Sequence, residues 1–181
     1  TPFPAGIRSQ ALALQAAGEN ELHRSAILAN QLATCYAVAV KTLLAEAGLQ
    51  AAQIAAIGCH GQTVRHQPAS GYSIQLNNPA LLAEMSGIPV VADFRSRDIA
   101  AGGQGAPLVP AYHSAVFGDS KEHRVVVNIG GIANLTDLRP GAAVRGFDSG
   151  PGNMLLDAWI ERHHGKTYDT DGRWAATGKP L

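Results

Sequence analysis

The sequence predicts an α/β fold, and three observations carry that prediction. Short β-branched runs alternate with segments of helical spacing, glycines and prolines punctuate the junctions, and apolar residues make up 46% of the chain, enough for a packed core. The elements follow in order. Between residues 19 and 47, Leu22, Ala26, Ala29, Leu32, Tyr36, Ala39, Leu43 and Ala47 recur three or four apart, which predicts a helix, with Gly48 as its C-cap. Ile54 to Gly58 reads as a buried strand running into the polar cluster Cys59-His60-Gly61-Gln62-Thr63. Tyr72, Ile74 and Leu76 alternate with polar residues, as in a half-buried strand. Pro79 opens a short helix reaching about Met85, and Val90-Val91-Ala92 is a further strand. Residues 100 to 110, rich in glycine and proline, form a loop, and 108 to 117 a short helix. Val125 to Gly131 is a β-branched strand that ends on paired glycines. Residues 134–138 and 142–147 suit a hairpin around Pro140-Gly141, and Pro151-Gly152 starts a helix carrying Leu155, Leu156, Trp159 and Ile160. The polar stretch Gly118 to Glu122 suggests a boundary near residue 120, dividing the chain into 1–120 and 121–181.

Composition narrows the function classes. Fourteen basic and fourteen acidic residues cancel, so nothing points to nucleic acid or an anionic membrane as partner. Cys35 and Cys59 stand far apart, outside any CxxC pairing, as expected for reduced thiols in the cytoplasm. No unbroken apolar run approaches the roughly 18 residues of a membrane span. The chain starts at Thr1-Pro2 without a methionine or signal pattern and stops at Pro180-Leu181, which reads as a piece of a longer protein.

Four constellations could carry chemistry. In the first, Asn128, Gly130 and Gly131 end a strand, and Asn134 begins the next. Paired glycines let backbone N–H groups approach a phosphate, although a plain hairpin has the same pattern. Neither GxxxxGK[ST] nor GxGxxG is present. In the second, Asp148 closes a strand ahead of Ser149-Gly150-Pro151-Gly152-Asn153 and a helix N-terminus. A carboxylate there can take a proton from water or a hydroxyl, hold a cation, or cap the helix. In the third, Asp93-Phe94-Arg95-Ser96-Arg97-Asp98 precedes a glycine loop. Its arginines suit a carboxylate or phosphate, or an internal Arg–Asp network. In the fourth, His60, Gln62 and Thr63 could meet sugar hydroxyls. His60 and His66 lack further ligands at zinc spacing, and His163-His164 reads as solvated, so no metal ligand is assigned.

Taken in order, CHGQTVRHQP, QLNNPALLAE, DFRSRDIAAGGQGAPLVP, NIGGIANL and GFDSGPGNMLLDAW resemble the anhydro-N-acetylmuramic acid kinases over almost the whole chain from about Ala47 to Gly178. The resemblance implies an actin-like (ribonuclease H-like) ATPase fold with ATP and Mg²⁺ as cofactors. It implies that 1,6-anhydro-N-acetylmuramic acid is opened by water and phosphorylated on O6, in bacterial peptidoglycan recycling. It makes Asp148 the general base that activates water. Asn128, Gly130, Gly131 and Asn134 become the second phosphate loop, and His60, Gln62, Arg97 and Asp98 become sugar contacts. A cytoplasmic location and a homodimer also follow from it, with an amino sugar and ATP as partners and no nucleic acid or membrane. Residues 1–120 would be part of the sugar-binding lobe and 121–181 the start of the nucleotide lobe. The family's first phosphate loop and its adenine-holding glycine segment have no counterpart here, so this polypeptide alone is expected to be nearly inactive. Two alternatives stay open: a non-catalytic module that binds a muropeptide sugar, and another sugar kinase or phosphatase of the actin-like superfamily.

Overall fold

The structure is a computed structural model, and it describes residues 3–179. Thr1-Pro2 and Pro180-Leu181, on which the reading of cut ends rests, lie outside the described residues. The fold is mixed α/β, as the alternation predicts. It comprises two compact units, Thr1–Gly105 and Ala106–Leu181.

The first unit is built around the predicted long helix. Helix α1 spans Ala5–Ala13 and α2 spans Glu21–Ala47, ended by Gly48 in the left-handed region at φ 66°. The strands are β1 (Ile57–Gly58), β2 (Gln62–Gln67), β3 (Tyr72–Leu76) and β4 (Val90–Val91), with helices α3 (Pro79–Ser86) and α4 (Ser96–Ala100). Strand β1 pairs with β4 in parallel, and β2 with β3 antiparallel. One face of α2 buries Leu28, Ala29 and Leu32 against Ile7, Leu14, Val64 and Leu76. One turn further on, Ala33 and Ala37 pack with Cys59 and Leu82. Tyr36 touches both clusters, and its burial beside Cys59 and Cys35 pushes the phenol above its ordinary pKa. The Arg65 guanidinium donates to the Leu14 carbonyl and, at 2.5 Å, to Glu21 Oε1, fastening α1, β2 and the first turn of α2 together.

Helix α2 needs a correction at sequence level. Its 27 residues include an 18-residue window of mean hydropathy 1.3, long and apolar enough by length and composition to cross a membrane. The expectation looked for an unbroken apolar run. Here alanines and leucines raise the average while Asn, Gln and Thr interrupt it. In the fold, the apolar stripe faces α1, α3 and β3.

Several short elements also differ from expectation. The run 54–58 forms only a two-residue strand, and Ile57 is half-buried rather than buried. Strand β3 meets the expected alternation only at its end: Leu76 is buried in the core, whereas Tyr72 and Ile74 are exposed and Ser73 and Gln75 are half-buried. Helices α1 and α4 and strand β2 carry no strong periodic signal.

The second unit is a meander with two helices. Helix α5 (Pro110–Phe117) precedes strands β5 (Arg124–Ile129), β6 (Ile132–Leu138) and β7 (Arg145–Pro151), and α6 (Asn153–His164) follows them. The three strands pair antiparallel in the order β5-β6-β7. Pro110 packs over Gly146, where an added Cβ would lie 2.3 Å from the proline ring. His113 Nδ1 sits 2.9 Å from the hydroxyl of fully buried Thr136. These contacts tie α5 to the sheet, so the compact unit begins at Ala106, earlier than the boundary expected near residue 120. On the opposite sheet face, Val125, Val127, Ile129 and Phe147 are more than half exposed.

Candidate functional site

In the second unit, pairing register assembles a polar row. Asn128 on β5 stands opposite Asn134 on β6, and Asn134 stands opposite Asp148 on β7. Directly opposed residues share a sheet face with Cβ atoms about 5 Å apart. Asn128, Asn134 and Asp148 therefore lie in line across all three strands, on the face that carries Thr136 and Gly146. The regular ladder sets this row, and a bulge follows at its edge. Ala133 opposes Gly150 while Asn134 opposes Asp148, so Ser149 is the extra residue, and its hydroxyl donates to the Ala133 carbonyl at 3.1 Å. Bulges of this kind re-aim neighbouring side chains. Asp148 is exposed, and Asn134 Oδ1 is buried with no hydrogen-bond partner among the described residues. An acceptor left unpaired costs stability in proportion to the lost solvation.

Beside the row, the turn Gly130-Gly131 joins β5 to β6. An added Cβ would meet nothing nearer than 3.5 Å at Gly130 and 3.9 Å at Gly131. The chain itself does not demand glycine there, and the space outside the turn is free for a close-lying group. The opposite holds at Gly152, where a Cβ would lie 2.3 Å from the Gly130 carbonyl oxygen. The N–H groups of Gly152 and Asn153 donate to the Gly131 and Gly130 carbonyls at 2.8 Å, and Met154 N–H donates to Gly131 at 3.3 Å. The first N–H groups of α6 are thus spent on holding the glycine turn.

The first unit holds a separate cavity of about 310 Å³, lined by His60, Ser73, Gln75, Asn77, Asp93 and Ser96 among others. Of the four sugar contacts expected from sequence, only His60 lines it. Both ring nitrogens of His60 are engaged. Nε2 accepts from Arg95 Nε at 3.0 Å, and Nδ1 lies 2.8 Å from the Gly61 carbonyl, which requires the proton on Nδ1. Arg95 also donates to the Gly105 carbonyl, so His60, Arg95 and the glycine loop form one chain of hydrogen bonds. Asp98 braces the same loop. Its Oδ2 accepts from Gly105 N–H at 2.7 Å, and a Cβ on Gly103 would sit 2.2 Å from that oxygen. Arg97 is exposed, and its side chain has no partner among the described residues. Gln62 is half-buried, with Nε2 3.3 Å from the Thr63 carbonyl, and lines a smaller recess instead.

Sequence reasoning passed over Asn77, Gln75 and Ser73. Asn77 donates to the Cys59 carbonyl at 3.2 Å, and its Oδ1 is buried without a partner among the described residues. The Asn77-Asn78 pair was the available signal, since Asn78 alone suffices to cap α3 by accepting from Leu81 N–H. Among the described residues no group of three or more His, Cys, Asp or Glu is placed to hold a metal ion.

Comparison with known proteins agrees with the resemblance. A family model described as anhydro-N-acetylmuramic acid kinase matches residues 1–180. A protein of that name from Bordetella pertussis is 62% identical over 180 residues, covering 99% of this chain and 47% of the relative. Its namesake from Nitrosospira multiformis is 60% identical over 182 residues, covering 99% and 50%. A third, from Thiobacillus denitrificans, is 59% identical over 176 residues, covering 97% and 47%. The chain therefore spans about half the length of the curated relatives it matches.

Proposed function

As the chain belongs to the anhydro-N-acetylmuramic acid kinase family, we propose that it forms part of an ATP-dependent kinase for 1,6-anhydro-N-acetylmuramic acid. The observation that carries this reading is the row Asn128–Asn134–Asp148 beside the open Gly130-Gly131 turn. In this reading Asp148 takes a proton from water as the water oxygen attacks the anomeric carbon. The C1–O6 bond of the anhydro bridge breaks, and the freed O6 attacks the γ-phosphorus and releases ADP. Asn128 and Asn134 orient the attacking water and the phosphoryl oxygens, and the turn N–H groups meet charge that develops on phosphate. The fold is then the actin-like one, with the first unit contributing to the sugar lobe and the second opening the nucleotide lobe.

Mg²⁺ fits this site as a companion of the nucleotide. With no protein cage among the described residues, it would be held by the phosphates and water, with Asp148 the carboxylate of the row. Its contribution when bound is neutralisation of phosphate charge. In the first unit, Asn77, with its unpaired Oδ1, joins His60, Gln62, Arg97 and Asp98 as a proposed sugar residue, Asp98 acting through the loop it braces.

The test is a coupled ADP-release assay on the protein at the full length of its relatives, with the anhydro sugar and Mg-ATP. Asp148→Asn is expected to lower kcat about 10²–10⁴-fold, the usual worth of a positioned general base. An Asp148→Asn enzyme within a factor of a few of wild type would reduce Asp148 to a structural residue.

A further inference from the structure

The second unit carries little core of its own. Among its described residues, the buried apolar side chains are Leu138 and Ile160, whereas the first unit buries two clusters. A unit of this size with so few buried side chains has little to set against the entropy of ordering its chain. Its uncovered apolar surface is gathered on one sheet face. Register puts Val127 of β5 opposite Leu135 of β6, and Leu135 opposite Phe147 of β7, with Val125 and Ile129 two places to either side of Val127. Val125, Val127, Ile129 and Phe147 are each between 51% and 64% exposed. Apolar residues scattered singly over a surface need no explanation, but neighbours on one face form a patch, and patches mark contact sites.

The same strand has an open edge. In the order β5-β6-β7, both β5 and β7 are edges among the described residues, and the two are unlike. Strand β7 is blunted, because Pro151 has no N–H to offer and the bulge at Ser149 disturbs the ladder. Strand β5 has no such device: Val125 to Ile129 contain no proline, glycine or charge, and only Asn128 is not β-branched. Such an edge is a template for a further strand. A groove of about 550 Å³ follows it, lined by Phe117, Arg124, Val125, Val126 and Val127. Successive strand residues point to opposite faces, so a groove lined by three in a row opens along the strand's edge.

We infer that, in the protein at the full length of its relatives, this edge and face are covered by the portion of the same polypeptide outside residues 1–181. An extended segment pairs with β5, and apolar side chains lie over Val127 and Phe147. Length supports this occupant, since the chain covers 47% of its Bordetella pertussis relative and 50% of that from Nitrosospira multiformis. A segment of the same polypeptide meets the surface at an effective concentration on the order of millimolar, an advantage that no separate partner has. The inference rests on family membership and on this surface, not on the chemistry assigned to Asp148, so either can fail without the other.

The experiment is thiol labelling and amide hydrogen exchange on the protein at the full length of its relatives. Val127→Cys is expected to react with a maleimide roughly 100-fold or more slowly than Lys121→Cys in the exposed segment before β5, because labelling then waits for local opening. Reading the label by peptide mass counts Cys35 and Cys59 apart. In the unsubstituted protein, every β5 amide is expected to exchange slowly, whereas an open edge leaves alternate amides fast. A Val127→Cys rate within a factor of a few of Lys121→Cys, or fast exchange at alternate β5 amides, would overturn the inference and leave the kinase reading to its own assay. Protection that disappears on dilution together with a halving of particle mass would make the occupant a second copy, and would overturn it as well.

Discussion

Whether α6 can start where it does is decided by a single β-carbon. At Gly152 that carbon would press on the Gly130 carbonyl at 2.3 Å, the group that accepts the Asn153 N–H. Gly152→Ala is therefore predicted to destabilise the protein by about 1–3 kcal/mol, the usual cost of overpacking, visible as a lowered Tm. Gly131→Ala should behave differently. Its Cβ has room, with the nearest atom at 3.9 Å, so Tm should hold while ATP affinity falls because the methyl occupies the space left for phosphate. Equal loss of Tm in both variants would contradict the distinction between a packing glycine and a binding glycine. The glycine density of this segment was legible in the sequence. The reason for each glycine was not, because it depends on which backbone carbonyl lies opposite. The bulge at Ser149 was equally invisible, since one extra residue between Asp148 and Gly150 leaves no compositional trace.

At the scale of elements, length decided what could be read. The spacing predicted a helix over 19–47 and the structure places it at Glu21–Ala47, because eight apolar positions in phase leave no competing period. Helix α4 has only five residues and no side-chain cap, and no such pattern can build up over it. Strand β3 was legible only in part. Leu76 reaches the core as the alternation predicts, whereas Tyr72 and Ile74 stay exposed, and Ser73, Ile74 and Gln75 all line the cavity shared with His60 and Asn77. The core contribution of α2 can be tested at Leu28, which is fully buried in the first cluster. Leu28→Ala is predicted to cost about 2–5 kcal/mol by lost transfer energy and a residual cavity, measured by denaturant unfolding. A loss below about 1 kcal/mol would mean that α1, β2 and β3 collapse onto the gap.

At the scale of the molecule, family and fold class were legible because five motifs recur in a fixed order along the chain. The partition was less so. Polar composition at 118–122 suggested a boundary, yet helix α5 is fixed to the sheet by Pro110 and His113, and contacts of that kind are not written in local composition. The residues proposed for the sugar were the least legible part, since His60 and Asp98 spend hydrogen bonds on Arg95 and the glycine loop. The central claim is that water attacks carbon and the sugar oxygen attacks phosphorus, with Asp148 as the base. The most direct measurement is mass spectrometry of the sugar phosphate formed in ¹⁸O-labelled water by the protein at the full length of its relatives. The account predicts one ¹⁸O on the sugar carbon skeleton and none in the phosphoryl group. Label in the phosphoryl group would place water on phosphorus and contradict it.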